Sequence, residues 1–135
     1  MTDRELFNIA EKAREKSYSP YSDFAVGAAL LCRDGTVFTG ANVENAAFSP
    51  SICAERVAIF SAVHAGRRDF EAIAVVGGKH GEKGVFCPPC GVCRQVMAEF
   101  CGGDFKVILG DEKETKAYTL SEILPLSFTK NDLEK

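Results

Sequence analysis

Apolar residues Leu6, Ile9, Ala10 and Ala13 recur at helical spacing over residues 2–16, with charged side chains between them, so the chain opens on an amphipathic helix. Residues 17–23 form a loop punctuated by Pro20. A nearly unbroken apolar run, Phe24–Cys32, and a second segment over 36–41 read as two strands of a hairpin turned by Arg33-Asp34-Gly35. Residues 42–51 are irregular and polar. Pro50 closes them, and a helix over 52–64 follows, stopped by Gly66. Residues 70–76 read as a third strand and 77–84 as a loop. Pro88-Pro89 precedes a helix over 90–100, with Gly102-Gly103 behind it; 105–109 and 116–119 read as a fourth and a short fifth strand. Helices alternating with strands predict an α/β fold in which helices cover a sheet on both faces.

The chain has 135 residues, the size of one ordinary domain, and 46% of them are hydrophobic, enough for a real core. A net charge of -3 argues against a protein that tracks a nucleic-acid backbone, which normally carries a basic surplus. The start of the chain mixes charged and apolar residues and lacks the apolar core of a signal peptide. The run Phe24–Cys32 is far shorter than the ~20 residues a spanning helix needs, so neither a membrane nor a nucleic acid is an expected partner. A cytoplasmic protein is expected.

Six cysteines then need a role, and in a reducing compartment clustered cysteines bind metal or do chemistry. Cys53 opens one helix, and Cys90 and Cys93 open another. Residues three apart share a helix face, and thiolates are favoured at a helix N-terminus. Three sulfur ligands leave one tetrahedral position for water, the pattern of a catalytic zinc. The rival is a closed structural centre that includes Cys87, because Cys87-x-x-Cys90 is also a ligand spacing. Two features weigh against it: Cys87 precedes two prolines on an extended segment, and Glu55 stands two residues after Cys53, where a sealed centre has no use for a carboxylate. Cys32 and Cys101 read as small apolar core residues. His64 lies too far along its helix from Cys53 to share an ion, and His80 falls in a polar loop.

Cys53-Ala54-Glu55 followed by Pro89-Cys90-Gly91-Val92-Cys93 resembles the zinc deaminase signature, in its three-cysteine form. Further segments are similar to those of the nucleoside-type cytidine deaminases, in the expected order along nearly the whole chain. Phe24-Ala25-Val26-Gly27-Ala28-Ala29 resembles the first strand, and Asn42-Val43-Glu44-Asn45-Ala46 the ribose-binding segment. Cys53 to Arg56 and Cys90 to Gln95 resemble the metal segments, and Leu124-Pro125-Leu126-Ser127-Phe128 the C-terminal one. Phe48, where the family often has Tyr, Pro88 for Ser, and Val92 for Ala are small departures.

The resemblance implies one deaminase domain over 1–135 with a three-layer α/β/α cytidine deaminase-like fold and a mixed sheet of about five strands. It implies one zinc ion per subunit, held by Cys53, Cys90 and Cys93. Water activated by that ion would attack C4 of cytosine, with Glu55 as the proton shuttle. Arg56 would hydrogen-bond the cysteine sulfurs, where three thiolates overcompensate the charge of the ion. Phe24, Asn42, Glu44, Ala54 and Phe128 would contact the substrate, a small nucleoside. The short length and three cysteines are similar to the homotetrameric branch, whose sites lie at subunit interfaces and in which Phe128 would reach across a subunit boundary. The implied reaction turns cytidine and 2'-deoxycytidine into uridine and 2'-deoxyuridine with release of ammonia, in pyrimidine salvage. Two alternatives stay open: a deaminase of another cytosine nucleoside, such as an aminoacyl-nucleoside antibiotic, and a non-catalytic zinc-stabilised binding module.

Overall fold

The computed structural model describes residues 1–134. Helix α1, Asp3–Ala13, starts at a reciprocal cap: Thr2 Oγ1 accepts from the Glu5 N–H at 3.1 Å, and the Thr2 N–H donates to Glu5 Oε1 at 2.9 Å. It tightens into one 3-10 turn over Arg14–Lys16. The strands are β1 Phe24–Cys32, β2 Val37–Ala41, β3 Phe70–Lys79, β4 Lys106–Gly110 and β5 Thr115–Thr119. The other helices are α2 Ala54–His64, α3 Gly91–Phe100, α4 Leu120–Ile123 and α5 Lys130–Leu133.

The five strands form one mixed sheet in the order β2-β1-β3-β4-β5. Only β3 and β4 run parallel, with Ile73 opposite Val107; α3 is the crossover that a parallel pair requires. All other pairs are antiparallel. Each face of the sheet carries its own core. Leu6, Phe7 and Ala10 of α1 pack on Ala29, Ala74 and Ile108 from one side. Ala58, Ile59 and Ala62 of α2 and Met97 of α3 pack on Leu30, Ile73 and Val107 from the other. This alternation along the central strands explains their near-continuous apolar sequences, since both faces are covered. The expected α/β/α layering is therefore present.

The structure departs from the expected elements at several boundaries. Strand β3 continues to Lys79, because Ala25 and Val26 of β1 pair with Gly78 and Gly77. The two glycines look like loop residues in the sequence, but they make room: a Cβ at Gly77 would stand 2.6 Å from the Phe24 ring and 2.9 Å from Cys87 Sγ. Helices α2 and α3 begin one or two residues later than expected, with Cys53 and Cys90 as extended caps. The short helices α4 and α5 are too brief to leave a periodic pattern in the sequence. Among the described residues, no helix is long and apolar enough to cross a membrane.

Candidate active site

The N-termini of α2 and α3 meet over the same face of the sheet and bring three sulfurs together. Cys53 caps α2 with extended backbone (φ −78°, ψ 153°) and Cys90 caps α3 likewise (φ −68°, ψ 167°). Neither thiol is spent on a capping hydrogen bond to its own helix. Cys93 projects from the first turn of α3 and is fully buried. The Sγ atoms of Cys53 and Cys90 lie 3.8 Å apart, those of Cys90 and Cys93 3.6 Å apart, and all three lie within 4.8 Å of one another. Ligands on a tetrahedral zinc with ~2.3 Å bonds to sulfur are separated by about 3.8 Å, so this donor set has the spacing and the softness that zinc takes.

Two helix N-termini aim free N–H groups and positive dipole ends at the cluster, which favours thiolates there. The Cys93 thiol and the Arg56 guanidinium both hydrogen-bond to the Cys53 sulfur and hold its pKa down at about 5, against the opposing effect of burial. Cys93 moves the other way, because its proton is the one shared with Cys53 and it is buried. Arg56 Nη2 donates to Cys53 Sγ at 3.5 Å, while its Nε is buried without a partner among the described residues.

Glu55 sits in the first turn of α2, 3% exposed, with its carboxyl against the sulfur cluster. Burial pushes this carboxyl up to about 7, and the Cys53 charge adds to the shift. A pocket opens here, lined by Asn42, Glu44, Ser51, Ile52, Cys53, Glu55, Cys87 and Cys90. Cys87 stands apart from the three-sulfur group. Its Sγ packs over Gly77 beside the Phe24 ring, and burial followed by the nearby charges of Glu55 and Cys53 pushes its thiol up to about 11. It lines the pocket as a neutral thiol, and the extended Pro88-Pro89 segment holds it off the helical face that carries Cys90 and Cys93.

Asn42 and Glu44 both reach the pocket, as alternation along an extended segment requires. The Asn42 amide is held on both sides: Oδ1 accepts from the Val26 N–H at 2.9 Å and from Ser17 Oγ at 2.5 Å, and Nδ2 donates to the Phe24 carbonyl at 2.9 Å. Glu44 Oε1 accepts from the Tyr21 and Ser22 N–H groups at 3.0 and 3.1 Å, and Oε2 from the Ser22 hydroxyl. The Ser22 hydroxyl is the main reason the Glu44 carboxyl is held below its ordinary pKa.

The remaining candidates lie further out. Phe24 is half-buried and packs behind Cys87. Ala54 is fully buried, with its carbonyl turned to Gly40 on β2. Phe128 is 61% exposed and does not line the pocket of its own chain; its carbonyl accepts from Gln95 Nε2 at 2.7 Å. Sequence reasoning did not single out Ser17 and Ser22, whose hydroxyls hold Asn42 and Glu44, or Ser51 and Ile52 in the lining. Serines in a polar loop carry no periodic signal; only their nearness to Pro20 and Pro50 marked these segments as turns. Arg94, quoted only as part of a motif, ties the helix in place through Nε to the Pro89 carbonyl and Nη1 to the Ile123 carbonyl, both at 2.7 Å.

Residues 1–110 match the family model described as the cytidine and deoxycytidylate deaminase zinc-binding region. The cytidine deaminase of Sporosarcina psychrophila is 49% identical over 137 residues, covering 98% of this chain and 96% of the relative. That of Halalkalibacterium halodurans is 51% identical over 129 residues, covering 95% of each. The crystal structure of the cytidine deaminase from Burkholderia pseudomallei has a TM-score of 0.87 at 46% identity, covering 95% of this chain and 100% of that one.

Proposed function

The chain belongs to the cytidine deaminase family, and from that premise we propose that it hydrolyses cytidine and 2'-deoxycytidine to uridine and 2'-deoxyuridine with release of ammonia, in pyrimidine salvage. One observation carries this reading: a buried carboxyl, Glu55, stands against three clustered sulfurs at the floor of a pocket whose wall offers Asn42 and Glu44.

Cys53, Cys90 and Cys93 would hold one zinc ion per subunit. When bound, zinc acts as a Lewis acid that lowers the pKa of a bound water from 15.7 to about 7. Glu55 would take one proton from the attacking water and deliver it to ring N3, then take the second proton from the hydroxyl newly bonded to C4 and hand it to the amine, which leaves as ammonia. A carboxyl raised to about 7 by burial suits both halves of that task, since it neither gives up nor keeps its proton too firmly near neutral pH. Arg56 drains charge from the Cys53 sulfur, so that three thiolates do not quench the acidity of the ion.

Asn42 and Glu44 orient the sugar. With both acceptor sites of Oδ1 and one N–H of Nδ2 already engaged, Asn42 has one N–H left to donate. Glu44 is an acceptor fixed by three donors. A single sugar hydroxyl satisfies both, accepting from the amide and donating to the carboxylate. Ala54 offers a backbone group to the base, Phe24 packs behind the pocket wall, and Phe128 serves a neighbouring copy. A homotetramer accounts for that last role and for the exposure of Phe48, Leu126 and Phe128, all apolar and open on the isolated chain; sedimentation of the zinc-loaded protein giving the mass of one chain would remove it. The cytoplasm, where thiolates stay reduced, suits the cysteine ligands.

The test is turnover by zinc-loaded protein, with cytidine, deoxycytidine and an aminoacyl-nucleoside antibiotic in competition. Uridine and ammonia from the simple nucleosides are expected. Turnover of the antibiotic alone would reassign the substrate, and no turnover of any of the three would remove the enzymatic reading.

A further inference from the structure

We propose that His80 is a positioning residue for the substrate: it heads a one-way chain of hydrogen bonds that buttresses the Asn42 amide, which two backbone bonds orient, and so steadies the N–H left free to donate to the substrate. The chain runs His80 Nε2 to Ser19 Oγ at 2.5 Å, Ser19 Oγ to Ser17 Oγ at 3.0 Å, and Ser17 Oγ to Asn42 Oδ1 at 2.5 Å.

Its direction follows from the backbone at the Asn42 end. The Val26 N–H can only donate, so it faces Oδ1; the Phe24 carbonyl can only accept, so it faces Nδ2. Oδ1 has no proton, hence the Ser17 hydroxyl donates to it. A hydroxyl has one hydrogen, so Ser17 can only accept from Ser19, and Ser19 in turn can only accept from His80. The imidazole therefore carries its proton on Nε2, pointing inward. Bonds aligned head to tail in this way polarise one another, and the donor at the far end strengthens the bond on Asn42.

The far end is built to stay in place. The His80 backbone N–H donates to the Asp23 carbonyl at 3.2 Å. Arg14, 6% exposed, clamps the same turn: Nη2 donates to the Lys79 carbonyl at 3.1 Å and Nη1 to the Glu82 carbonyl at 3.0 Å. Ser19 is 3% exposed, so the middle of the chain has no water to replace a lost partner. The imidazole itself is exposed, so it can be replaced without opening the core.

This inference rests on the reading that Asn42 donates to a sugar hydroxyl. It is tested by kinetics of His80→Leu, His80→Gln and Ser17→Ala with cytidine and with 2',3'-dideoxycytidine, which keeps the 5' hydroxyl but lacks the ring hydroxyls that Asn42 would meet. His80→Leu is expected to raise KM for cytidine about three- to tenfold and to leave kcat within about twofold, the mark of lost binding rather than lost chemistry. Ser17→Ala is expected to do the same or more. His80→Gln, whose side-chain N–H falls near Nε2, should recover KM to within about twofold of the parent. With dideoxycytidine the parent and His80→Leu should share one KM. Equal KM for cytidine in the parent and His80→Leu overturns the proposal, as does a loss that His80→Gln fails to restore or that persists with dideoxycytidine. Should the parent deaminate neither nucleoside, the substrate reading falls separately, and NMR of the Asn42 side-chain amide still decides: unchanged NH2 resonances in His80→Leu sink the chain of hydrogen bonds, and shifted ones support it.

Discussion

Glu55 meets two opposed demands at the residue scale. As part of the first turn of α2 it is favoured in its charged form by the helix N-terminus, yet it is buried beside sulfurs that carry negative charge, and burial wins, raising its pKa to about 7. A group so placed is poorly tuned for stability and well tuned for moving a proton. Glu55→Gln keeps the volume and removes the proton chemistry. The variant is expected to retain fold and zinc, measured by circular dichroism and metal analysis, and to lose kcat by roughly 10²–10⁴-fold. Activity within about tenfold of the parent would show that some other group shuttles the proton.

At the scale of elements, the site exists because two helices start at one place. Each helix brings a sulfur on an extended cap residue, and α3 brings a second, Cys93, from its first turn, so the positions of the helix starts set the positions of the sulfurs. Gly40 on β2 controls one of these starts. A Cβ there would lie 2.4 Å from the Ala54 carbonyl oxygen and 2.6 Å from the Ala58 nitrogen, both backbone atoms of α2 that cannot swing aside. Gly40→Ala must therefore push α2 outward, carrying Cys53 and Glu55 with it. The expected cost is about 1–3 kcal/mol in denaturant unfolding, the usual range for overpacking, together with weaker zinc retention against a chelator. Unchanged zinc retention would show that the N-terminus of α2 does not depend on this close approach.

At the scale of the molecule, what could be read in the sequence follows from physical range. Helix α1 and the central strands were legible because their periodicity is local and strong; β1 was expected and found over Phe24–Cys32. The two metal segments were legible because residue type and spacing carry the chemistry within a few positions. The end of β3 was not, since Gly77 and Gly78 are strand residues through their pairing with Val26 and Ala25, and they are glycines because Phe24, Cys87 and Arg14 crowd that face from distant parts of the chain. His80, which reads as a loop residue, lies 61 positions from the serine it contacts. Contacts across such separations leave no pattern in a short window.

The same limit applied to Cys87, whose spacing alone allows a fourth ligand and whose Sγ lies over Gly77, outside the group of three sulfurs. The number of sulfurs that would hold the ion therefore decides between an open centre and a sealed one. Zinc K-edge X-ray absorption on the zinc-loaded protein measures that count directly. Three sulfur scatterers at about 2.3 Å and one oxygen or nitrogen at about 2.0 Å are predicted, leaving a position open to solvent beside Glu55. Four sulfurs in the shell would contradict the account.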